Sequence, residues 1–596
     1  MSLLFDRRRL LALSAAAAVL PLSSARAQAP ATSAADAAFD ALAADWLETS
    51  LRLSPITATQ WGDHRFDERL DDLSPEGWRA KREAAAGFLA RLSAIPADDL
   101  TRERQVDRAV LRNSLAGEVW SHDVLAAHLW DPLIHQSLAG SALYGLVARD
   151  FAPIEQRLVS ATARLSALPA LFAQVRTTLV PARVPKIHAQ TYAGQNGGLV
   201  SLIDLILAED AALDAAGREA LRAAADQART AIAEHQVWID GALAPQAAGE
   251  WRLGPELYDA KLRFALDSDL TRAQIKADAE RALAEVRARM YVLSRQILAG
   301  RPGAPPTPDD AGADAQQAAI AAALEVVYAD RATPETLIEV AQAKLDAAIA
   351  FVAAHPIVTP PTEPVQLVLT PEFQRGVAVA YCDPPGPLDR DLPTFYKLSP
   401  IPEDWSAEQA ESFLREYNNW TLEGLTVHEG TPGHYLQLAH SNRHPSVLRS
   451  VLWSGTFVEG WACYAQDVMV AAGHRDGDPL YELANLKFLL RVITNAILDI
   501  GVHTEGWDEA RAMHLMTHDA FQQEREAAGK WTRARVSSAQ LPTYFVGWEE
   551  HWALRREAQE KAGAAFDMKA YHDRLLSFGS PPVRLARQLM FDLPVA

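Results

Sequence analysis

The chain has 596 residues, of which 49% are hydrophobic and 22% charged, and its formal net charge is −19. This composition excludes an intrinsically disordered, collagen-like or coiled-coil protein, and the negative charge argues against a nucleic-acid-binding protein, which would need a basic surface. Two cysteines are too few for a disulfide scaffold or a cysteine-rich zinc site. Cys382 and Cys463 are therefore predicted to be buried free thiols.

The first 27 residues have the pattern of an export signal. A twin-arginine pattern at Arg7 to Arg9 precedes a mostly apolar run from Leu10 to Leu22, and Ala25 to Ala27 forms a small-residue cleavage site. Because the apolar run has only 13 residues, it is too short to span a bilayer. The alternative is an uncleaved N-terminal anchor. We predict a twin-arginine signal peptide at 1–27, a periplasmic or secreted mature protein and no membrane partner after cleavage.

Helical patterns fill most of the chain after the signal. Apolar residues recur at three- and four-residue steps in segments that are rich in Ala, Leu, Glu and Arg. The clearest segments are Asp36–Leu51, Pro153–Thr178, Asp210–Ala242, Thr271–Leu298 and Pro334–His355. The residues Thr271 to Gln274 form a capping-box pattern at the start of one of these helices.

A short β insert interrupts the helices. After the break at Pro356–Pro364, three segments have the residue content of strands, namely Val365–Thr370, Arg375–Tyr381 and Thr394–Leu398. The helical pattern resumes after a second capping box, Ser406 to Gln409. The sequence therefore predicts a mainly α fold with a helical N-terminal lobe (28–364), a small β insert (365–400) and a helical catalytic lobe (401–596).

The strongest chemical pattern is H-E-x-x-P-G-H, which runs from His428 to His434. Zinc-protease helices place two histidines four residues apart, so that both face one way. A step of six on an unbroken helix would leave the two side chains about 120° apart. Because Pro432 has no N–H to donate and Gly433 tolerates unusual dihedral angles, we predict a break at Thr431–Gly433 that lets both histidines bind one metal ion. The alternative is a surface loop that holds two histidines.

A third ligand is predicted at Glu459. This residue lies in an apolar segment that we interpret as a buried helix, Val447–Ala472, where a lone carboxylate is costly unless it is paired or bound to metal. Glycines on this helix, Gly460 among them, would allow it to approach the helix that carries the histidines. The alternative is a buried ion pair between Glu459 and an arginine such as Arg449 or Arg491.

These motifs resemble those of the bacterial family called domain of unknown function 885. Its pattern H-E-x-x-P-G-H-x-x-Q stands here at His428 to Gln437, and its pattern E-G-W-A-x-Y stands at Glu459 to Tyr464. The segment Asp499 to His503 is similar to the family's D-x-G-x-H, Gly579 to Pro582 to its closing motif, and Pro55 to Ser74 to its opening segment. The resemblance covers the chain from roughly residue 40 onward.

The resemblance implies a gluzincin-like zinc hydrolase with His428, His434 and Glu459 as the metal ligands. It also implies a large two-lobed helical fold around a deep channel, similar to neurolysin, angiotensin-converting enzyme and helical carboxypeptidases. Zinc is the implied cofactor, although cobalt or manganese could occupy the same ligands.

The chain departs from the family near its C-terminus. The family often carries P-G-Q-A-x-x-Y-K-x-G, and here Gln540, Tyr544 and Gly547 match while Phe545 replaces the lysine. If that lysine binds a substrate carboxylate in relatives, its replacement argues against the same contact here.

The parts of the site predict a mechanism. Zinc held by two imidazoles and a carboxylate lowers the pKa of a bound water, and Glu429 would take the proton of that water and hand it to the leaving amine. Tyr544 is the leading candidate to stabilise the oxyanion, with a packed aromatic ring as its alternative. His503 is the other candidate, because Asp499 one turn away would orient it, and its alternative is a helix-end cap.

We therefore predict an exported zinc metallopeptidase that acts on short or unfolded peptides. By analogy with gluzincins, Thr394–Leu398 would be an edge strand that binds the peptide backbone. One alternative is a zinc amidase or esterase with a small non-peptide substrate. The other is a non-catalytic peptide-binding protein, which would not require Glu429. The sequence gives no oligomeric state.

Overall fold

The computed structural model describes residues 33–371, 379–402 and 404–595. Helix accounts for 72% of the structure and strand for 3%, which confirms the predicted mainly α fold with a small sheet. The predicted export signal at 1–27 lies outside the described residues.

The N-terminal helices build a hydrophobic core of their own. Their bounds are α1 (Ala34–Leu53), α2 (Pro55–Trp61), α3 (Pro75–Ser93), α4 (Arg102–Trp120), α5 (Pro132–Val147), α6 (Ile154–Thr178), α7 (Lys186–Asn196), α8 (Gly198–Ala208), α9 (Ala215–Trp238) and α10 (Ala244–Gln246). The apolar faces of α6 and α9 meet at the centre of this core, around Leu165 and Ile232. Side-chain caps fix where helices begin, since Ser33 accepts a hydrogen bond from the N–H of Asp36 at the start of α1.

Within the described residues, α6 is long and apolar enough to cross a membrane by length and composition alone. Two arginines of this helix, Arg157 and Arg164, are buried among its apolar residues. Their guanidinium groups donate to backbone carbonyls of neighbouring segments, and Arg164 Nη1 lies 2.7 Å from the carbonyl oxygen of Ala142. Because α6 also packs closely on α9, its environment is that of a core helix.

The following helices belong to a different core. Their bounds are α11 (Gly254–Leu266), α12 (Arg272–Leu298), α13 (Ala313–Ala329) and α14 (Leu337–Ala354). The predicted capping box from Thr271 to Gln274 is present at the start of α12. Buried side chains between 258 and 328 share one hydrophobic cluster with buried side chains between 463 and 546. The predicted lobe boundary at residue 364 therefore does not separate two cores.

A three-stranded sheet follows, formed by β1 (Val365–Leu369), β2 (Ala380–Asp383) and β3 (Thr394–Leu398). β3 is the central strand, with β1 parallel to it on one side and β2 antiparallel on the other. Every residue of β3 is buried. The prediction that Thr394–Leu398 is an edge strand is therefore wrong, because both of its sides are paired. The predicted strand Arg375–Tyr381 meets β2 only at its end, and residues 372–378 lie outside the described part.

The C-terminal helices carry the predicted site. Their bounds are α15 (Ala407–Glu416), α16 (Asn419–Glu429), α17 (His434–Asn442), α18 (Leu448–Val451), α19 (Gly455–Ala471), α20 (Pro479–Thr504), α21 (Glu509–His514), α22 (Glu524–Val536), α23 (Pro542–Ala562), α24 (Met568–Leu576) and α25 (Val583–Met590). The second capping box, from Ser406 to Gln409, opens α15 as predicted. The predicted helix Val447–Ala472 is two helices, because the chain leaves the helical path between α18 and α19.

Candidate metal centre

The predicted helix break is present between the two histidines. α16 ends at Glu429 and α17 begins at His434, and the four residues between them form a tight turn. A Cβ atom on Gly433 would lie 2.0 Å from the carbonyl oxygen of His428, so only glycine fits there. The indole N–H of Trp461 donates to the carbonyl of Pro432 at 2.8 Å and ties the turn to α19. The Pro-Gly pair therefore ends the helix, as its chemistry predicts.

The break brings the three predicted ligands together. Glu459 Oε2 lies 3.7 Å from His428 Nε2 and 3.3 Å from His434 Nε2, and one ligand atom from each residue falls within 4.8 Å of the others. Ligand atoms of a tetrahedral zinc site with bonds of about 2.0–2.1 Å lie about 3.3 Å apart, so the spacing suits that ion. Glu459 Oε2 is buried and has no hydrogen bond within the described residues. A bound cation would satisfy this oxygen.

The ion-pair alternative for Glu459 is wrong. Arg449 is fully buried and pairs with Asp107 at 2.6 Å, while Arg491 pairs with Glu526 at 2.7 Å. Neither arginine forms an ion pair with Glu459 within the described residues. The carboxylate therefore faces the two imidazoles.

A neighbouring amide orients the first histidine. His428 Nδ1 lies 3.1 Å from Gln466 Oε1, which is placed two helical turns after Glu459 on α19. When Nδ1 donates to this amide oxygen, the lone pair of Nε2 is free for a metal ion. His434 Nδ1 has no hydrogen-bond partner in the described part of the chain. The orientation of His428 thus depends on the same helix that carries the carboxylate ligand.

Glu429 is buried beside the three candidate ligands. Its side chain is shielded from solvent and accepts a hydrogen bond from the backbone N–H of Cys382 on β2. Burial raises the pKa of Glu429 to about 7. A carboxyl group with a pKa near neutrality can both accept and donate a proton at physiological pH, which is the property of a general base that later serves as an acid.

A large cleft opens onto this centre. Its volume is about 990 Å³, and its walls come from α16, α19, α20, α22 and α23, from β2 and from the end of α2. The strand that lines the cleft is β2, not β3, and β2 is an edge of the sheet within the described residues. Trp61 reaches the cleft because the β2–β3 connection docks on α2, where the N–H of Leu388 donates to the Trp61 carbonyl at 2.8 Å.

Tyr544 lies on the cleft wall near the metal ligands. Its hydroxyl oxygen accepts hydrogen bonds from Arg533 Nη2 at 3.3 Å and from Gln540 Nε2 at 3.4 Å. Burial and the carboxylate of Glu459 raise the pKa of Tyr544 to about 12, so the phenol keeps its proton at neutral pH. Because two donors already point at the oxygen, its own proton is available to a group in the cleft.

The structure does not bring His503 to the cleft. His503 is buried on α20, and its Nε2 lies 2.9 Å from the carbonyl oxygens of both Ala534 and Ser537. Asp499 contacts the same connection, since its Oδ2 accepts from the N–H of Ala539 at 2.8 Å. Both side chains therefore hold the turn between α22 and α23. This packing role replaces the predicted oxyanion role, because the imidazole has no path to the reacting atoms.

The helices that carry Glu459 and Tyr544, α19 and α23, cross at close range. A Cβ atom on Gly460 would lie 2.3 Å from the carbonyl carbon of Gly547, and one on Gly547 would lie 2.0 Å from the carbonyl oxygen of Thr456. α19 and α23 therefore touch backbone to backbone. Gly460 approaches α23 rather than the histidine helix, which differs from the prediction.

Comparisons with known proteins show the family and the fold of the chain. The family model described as "Bacterial protein of unknown function (DUF885)" matches residues 55–590. The chain belongs to the DUF885 family. A "putative lipoprotein of unknown function" from Shewanella oneidensis is 32% identical with a TM-score of 0.76, covering 93% of this chain and 99% of its own.

A "putative lipoprotein" from Colwellia psychrerythraea is 17% identical with a TM-score of 0.74 and the same coverage, so it shares the fold of this DUF885 protein. A search of curated proteins found no match. The likenesses therefore establish family and fold, and the chemistry has to be argued from the site.

Two cleft residues of this DUF885 protein were not found from the sequence, Lys530 and Arg533. They are three residues apart on α22 and both line the cleft. Charged residues at this spacing are usually on the solvated face of a helix, so the pattern gives no signal of a site. Both cysteines are free thiols: Cys463 is buried as predicted, whereas Cys382, which was also predicted to be buried, is half-buried on the cleft wall.

Proposed function

We propose that this DUF885 protein is a zinc-dependent metallopeptidase that hydrolyses short or unfolded peptides in its cleft. The observation that carries the proposal is the placement of Glu429 directly beside three converging ligand atoms from His428, His434 and Glu459. These residues fit zinc in number and type, with two imidazoles and one carboxylate. Glu429 lies beside the three ligand atoms without being one of them, and metal or peptide binding alone does not require a general base there.

Each cleft residue has a task in peptide hydrolysis. Zinc, when bound, supplies a Lewis acid and a water of lowered pKa. Glu429 takes a proton from the attacking water and passes it to the leaving amine. Tyr544 donates its phenolic proton in a hydrogen bond to the carbonyl oxygen of the substrate, where negative charge develops. The edge strand β2 offers backbone groups to an extended peptide, which favours peptides as substrates.

We further propose that the protein acts outside the cytoplasm. The twin-arginine pattern at 1–27 supports export, and both similar structures are described as lipoproteins, a name that fits the cell envelope. Export through the twin-arginine route would allow the metal to be loaded before the folded protein leaves the cytoplasm.

The proposed function is tested by presenting the zinc-loaded protein with a mixed library of unstructured peptides and, separately, with simple amides and esters. We expect new peptide termini in the mass spectrum of the library and little turnover of the other compounds. Turnover of amides or esters without peptide cleavage would replace the peptidase by an amidase or esterase. Peptide binding without turnover of any compound would indicate a binding protein.

Tyr544→Phe is expected to lower kcat for a cleaved peptide about 100-fold and to change KM little, because the lost hydrogen bond strengthens only as the oxyanion forms. The measurement is steady-state kinetics at neutral pH, with zinc content as the control. An unchanged kcat would leave Tyr544 as a packed aromatic residue.

A further inference from the structure

Two cations on the cleft wall have no part in the proposed proton transfer. Lys530 and Arg533 lie about one turn apart on α22, beside Tyr544. Lys530 is only 5% exposed, yet its Nζ forms no hydrogen bond or ion pair with any residue in the described ranges. Arg533 uses Nη2 for Gln540 at 2.8 Å and for Tyr544, and it also lacks a carboxylate partner among the described residues.

The carboxylates that surround this pair are already neutralised by other cations. Glu416 lies 2.6 Å from Lys487 Nζ, and Glu526 lies 2.7 Å from an Arg491 nitrogen. Both carboxylates line the cleft together with the unpaired lysine and arginine. Lys530 and Arg533 therefore line the cleft in addition to the cations with which these two carboxylates already pair, although the whole chain has a formal charge of −19.

A buried ammonium group without a partner is costly to the fold. Burial and the nearby charges of Arg491 and Arg533 lower the pKa of Lys530, and the carboxylates of Glu526 and Glu416 offset this effect only in part. A carboxylate that enters the cleft would remove this cost. This carboxylate would accept a charge-assisted hydrogen bond from Lys530. It would also accept hydrogen bonds from the remaining N–H groups of Arg533, whose guanidinium group can bind a carboxylate in a bidentate manner.

We propose that Lys530 and Arg533 bind a carboxylate of the substrate next to the metal centre. This inference rests on the proposed peptidase function and adds a substrate class, namely peptides with a free carboxylate near the bond that is cut. Arg533 contacts Tyr544, and Tyr544 lies close enough to Glu459 for that carboxylate to raise its pKa. The side chain of Tyr544 therefore lies between the proposed carboxylate site and the position where the oxyanion would form. The carboxylate is either the C-terminal group of the peptide or an acidic side chain.

The test uses two pairs of peptides that differ in one group. In the first pair the C-terminus is either a free acid or an amide, and in the second, amidated pair one internal residue is either Glu or Gln. We expect the zinc-loaded protein to show a KM about 10- to 100-fold lower for the acid member of one pair, which is the range for a buried charge-assisted hydrogen bond. The pair that shows the difference identifies the source of the carboxylate. Equal KM values within both pairs would overturn the inference and leave the peptidase function intact.

Lys530→Met is the matching variant, because it keeps the length of the side chain and removes the charge. It should raise KM for the acid member of the pair that shows the difference by about the same 10- to 100-fold, change kcat less than about threefold and leave KM for the neutral member of that pair unaffected. Equal losses for the acid and the neutral peptide would contradict carboxylate binding. Arg533→Gln provides a second test of the difference in KM between the acid and the neutral peptide. A fall in kcat is also expected for this variant, because it loses the contact between Arg533 and Tyr544.

Two measurements separate this inference from the peptidase function and from a merely structural role. Calorimetric binding of the acid and neutral peptides to Glu429→Gln, with and without Lys530→Met, reports carboxylate recognition even if no peptide is ever cleaved. Lys530→Met should not lower Tm, since it removes an unpaired buried charge. Lys487→Met should lower Tm, because it leaves the buried carboxylate of Glu416 without the lysine of its ion pair. A Tm for Lys530→Met that falls as far as that for Lys487→Met would make Lys530 a structural cation and refute the inference.

Discussion

Glu429→Gln is expected to reduce kcat for peptide hydrolysis at least about 1,000-fold while leaving the metal content unchanged. The amide keeps the size of the side chain and its place beside Cys382, but it can neither accept the proton of the attacking water nor return it to the leaving amine. Because Glu429 does not ligate the metal, the ligand set of His428, His434 and Glu459 stays complete. Steady-state kinetics and metal analysis on the same preparation give both values.

The control for this variant is its fold. Glu429 is buried with a pKa of about 7, so a neutral amide at this position should cost little stability at neutral pH, and Tm should stay close to that of the wild type. A variant that keeps metal, Tm and full peptidase activity would exclude Glu429 as the base. If the wild type also cleaves no peptide, the protein is a binding protein or acts on another substrate class.

Gly547→Ala is expected to destabilise the protein by about 3 kcal/mol or more. Its methyl group would lie 2.0 Å from the carbonyl oxygen of Thr456 and 2.8 Å from the Cα atom of Gly460, so α19 and α23 would have to move apart. Because α19 carries Glu459 and α23 carries Tyr544, the same movement should weaken metal binding and activity. Thermal or urea unfolding of the metal-free protein measures the loss of folding stability separately from any loss of metal binding.

Gly87→Ala is the matched control for the helix crossing. Gly87 lies in the middle of α3, is exposed and has open space where its Cβ would be. Alanine there should be neutral or should stabilise the protein by about 0.5–1 kcal/mol, because it favours the helix. Equal unfolding free energies for Gly547→Ala and the wild type would contradict the backbone contact between α19 and α23.

Local chemistry made the helix break and the convergence of the three candidate ligands predictable. Pro432 and Gly433 together disfavour a continuous helix through their own backbone chemistry, so the six-residue step between His428 and His434 was interpretable without a fold. Glu459 was predictable because a lone carboxylate in an apolar helix needs a partner. The capping boxes that open α12 and α15 depend on residues within one turn and were found for the same reason.

Features that depend on distant parts of the chain were not predictable. The sequence marks Thr394–Leu398 as a strand, but its central place follows from pairing with β1 on one side and β2 on the other. His503 was misinterpreted because its spacing from Asp499 fits an oriented imidazole, whereas the carbonyls that it contacts belong to the turn after α22. Lys530 was missed because nothing in the sequence shows that this face of α22 lines a cleft.

The order of the helices in the chain does not show which of them share a hydrophobic core. Helices α11 to α13 were assigned to the N-terminal lobe by their order in the chain, but their apolar faces pack with the C-terminal helices, and α12 lies along α20. Periodicity shows that such a helix has an apolar face and does not show which distant helix covers it. The two-lobed channel therefore stays a prediction from the family resemblance.

The metal content of the purified mature protein shows whether His428, His434 and Glu459 form a zinc centre. A second group of potential ligands, His514, His518 and Asp519, lies at the surface and supplies the control. We expect about one zinc ion per chain in the wild type and in His518→Ala, and none in His434→Ala with its fold intact. A folded wild type that takes up no metal after zinc addition, or zinc that is lost from His518→Ala and kept by His434→Ala, would contradict the account.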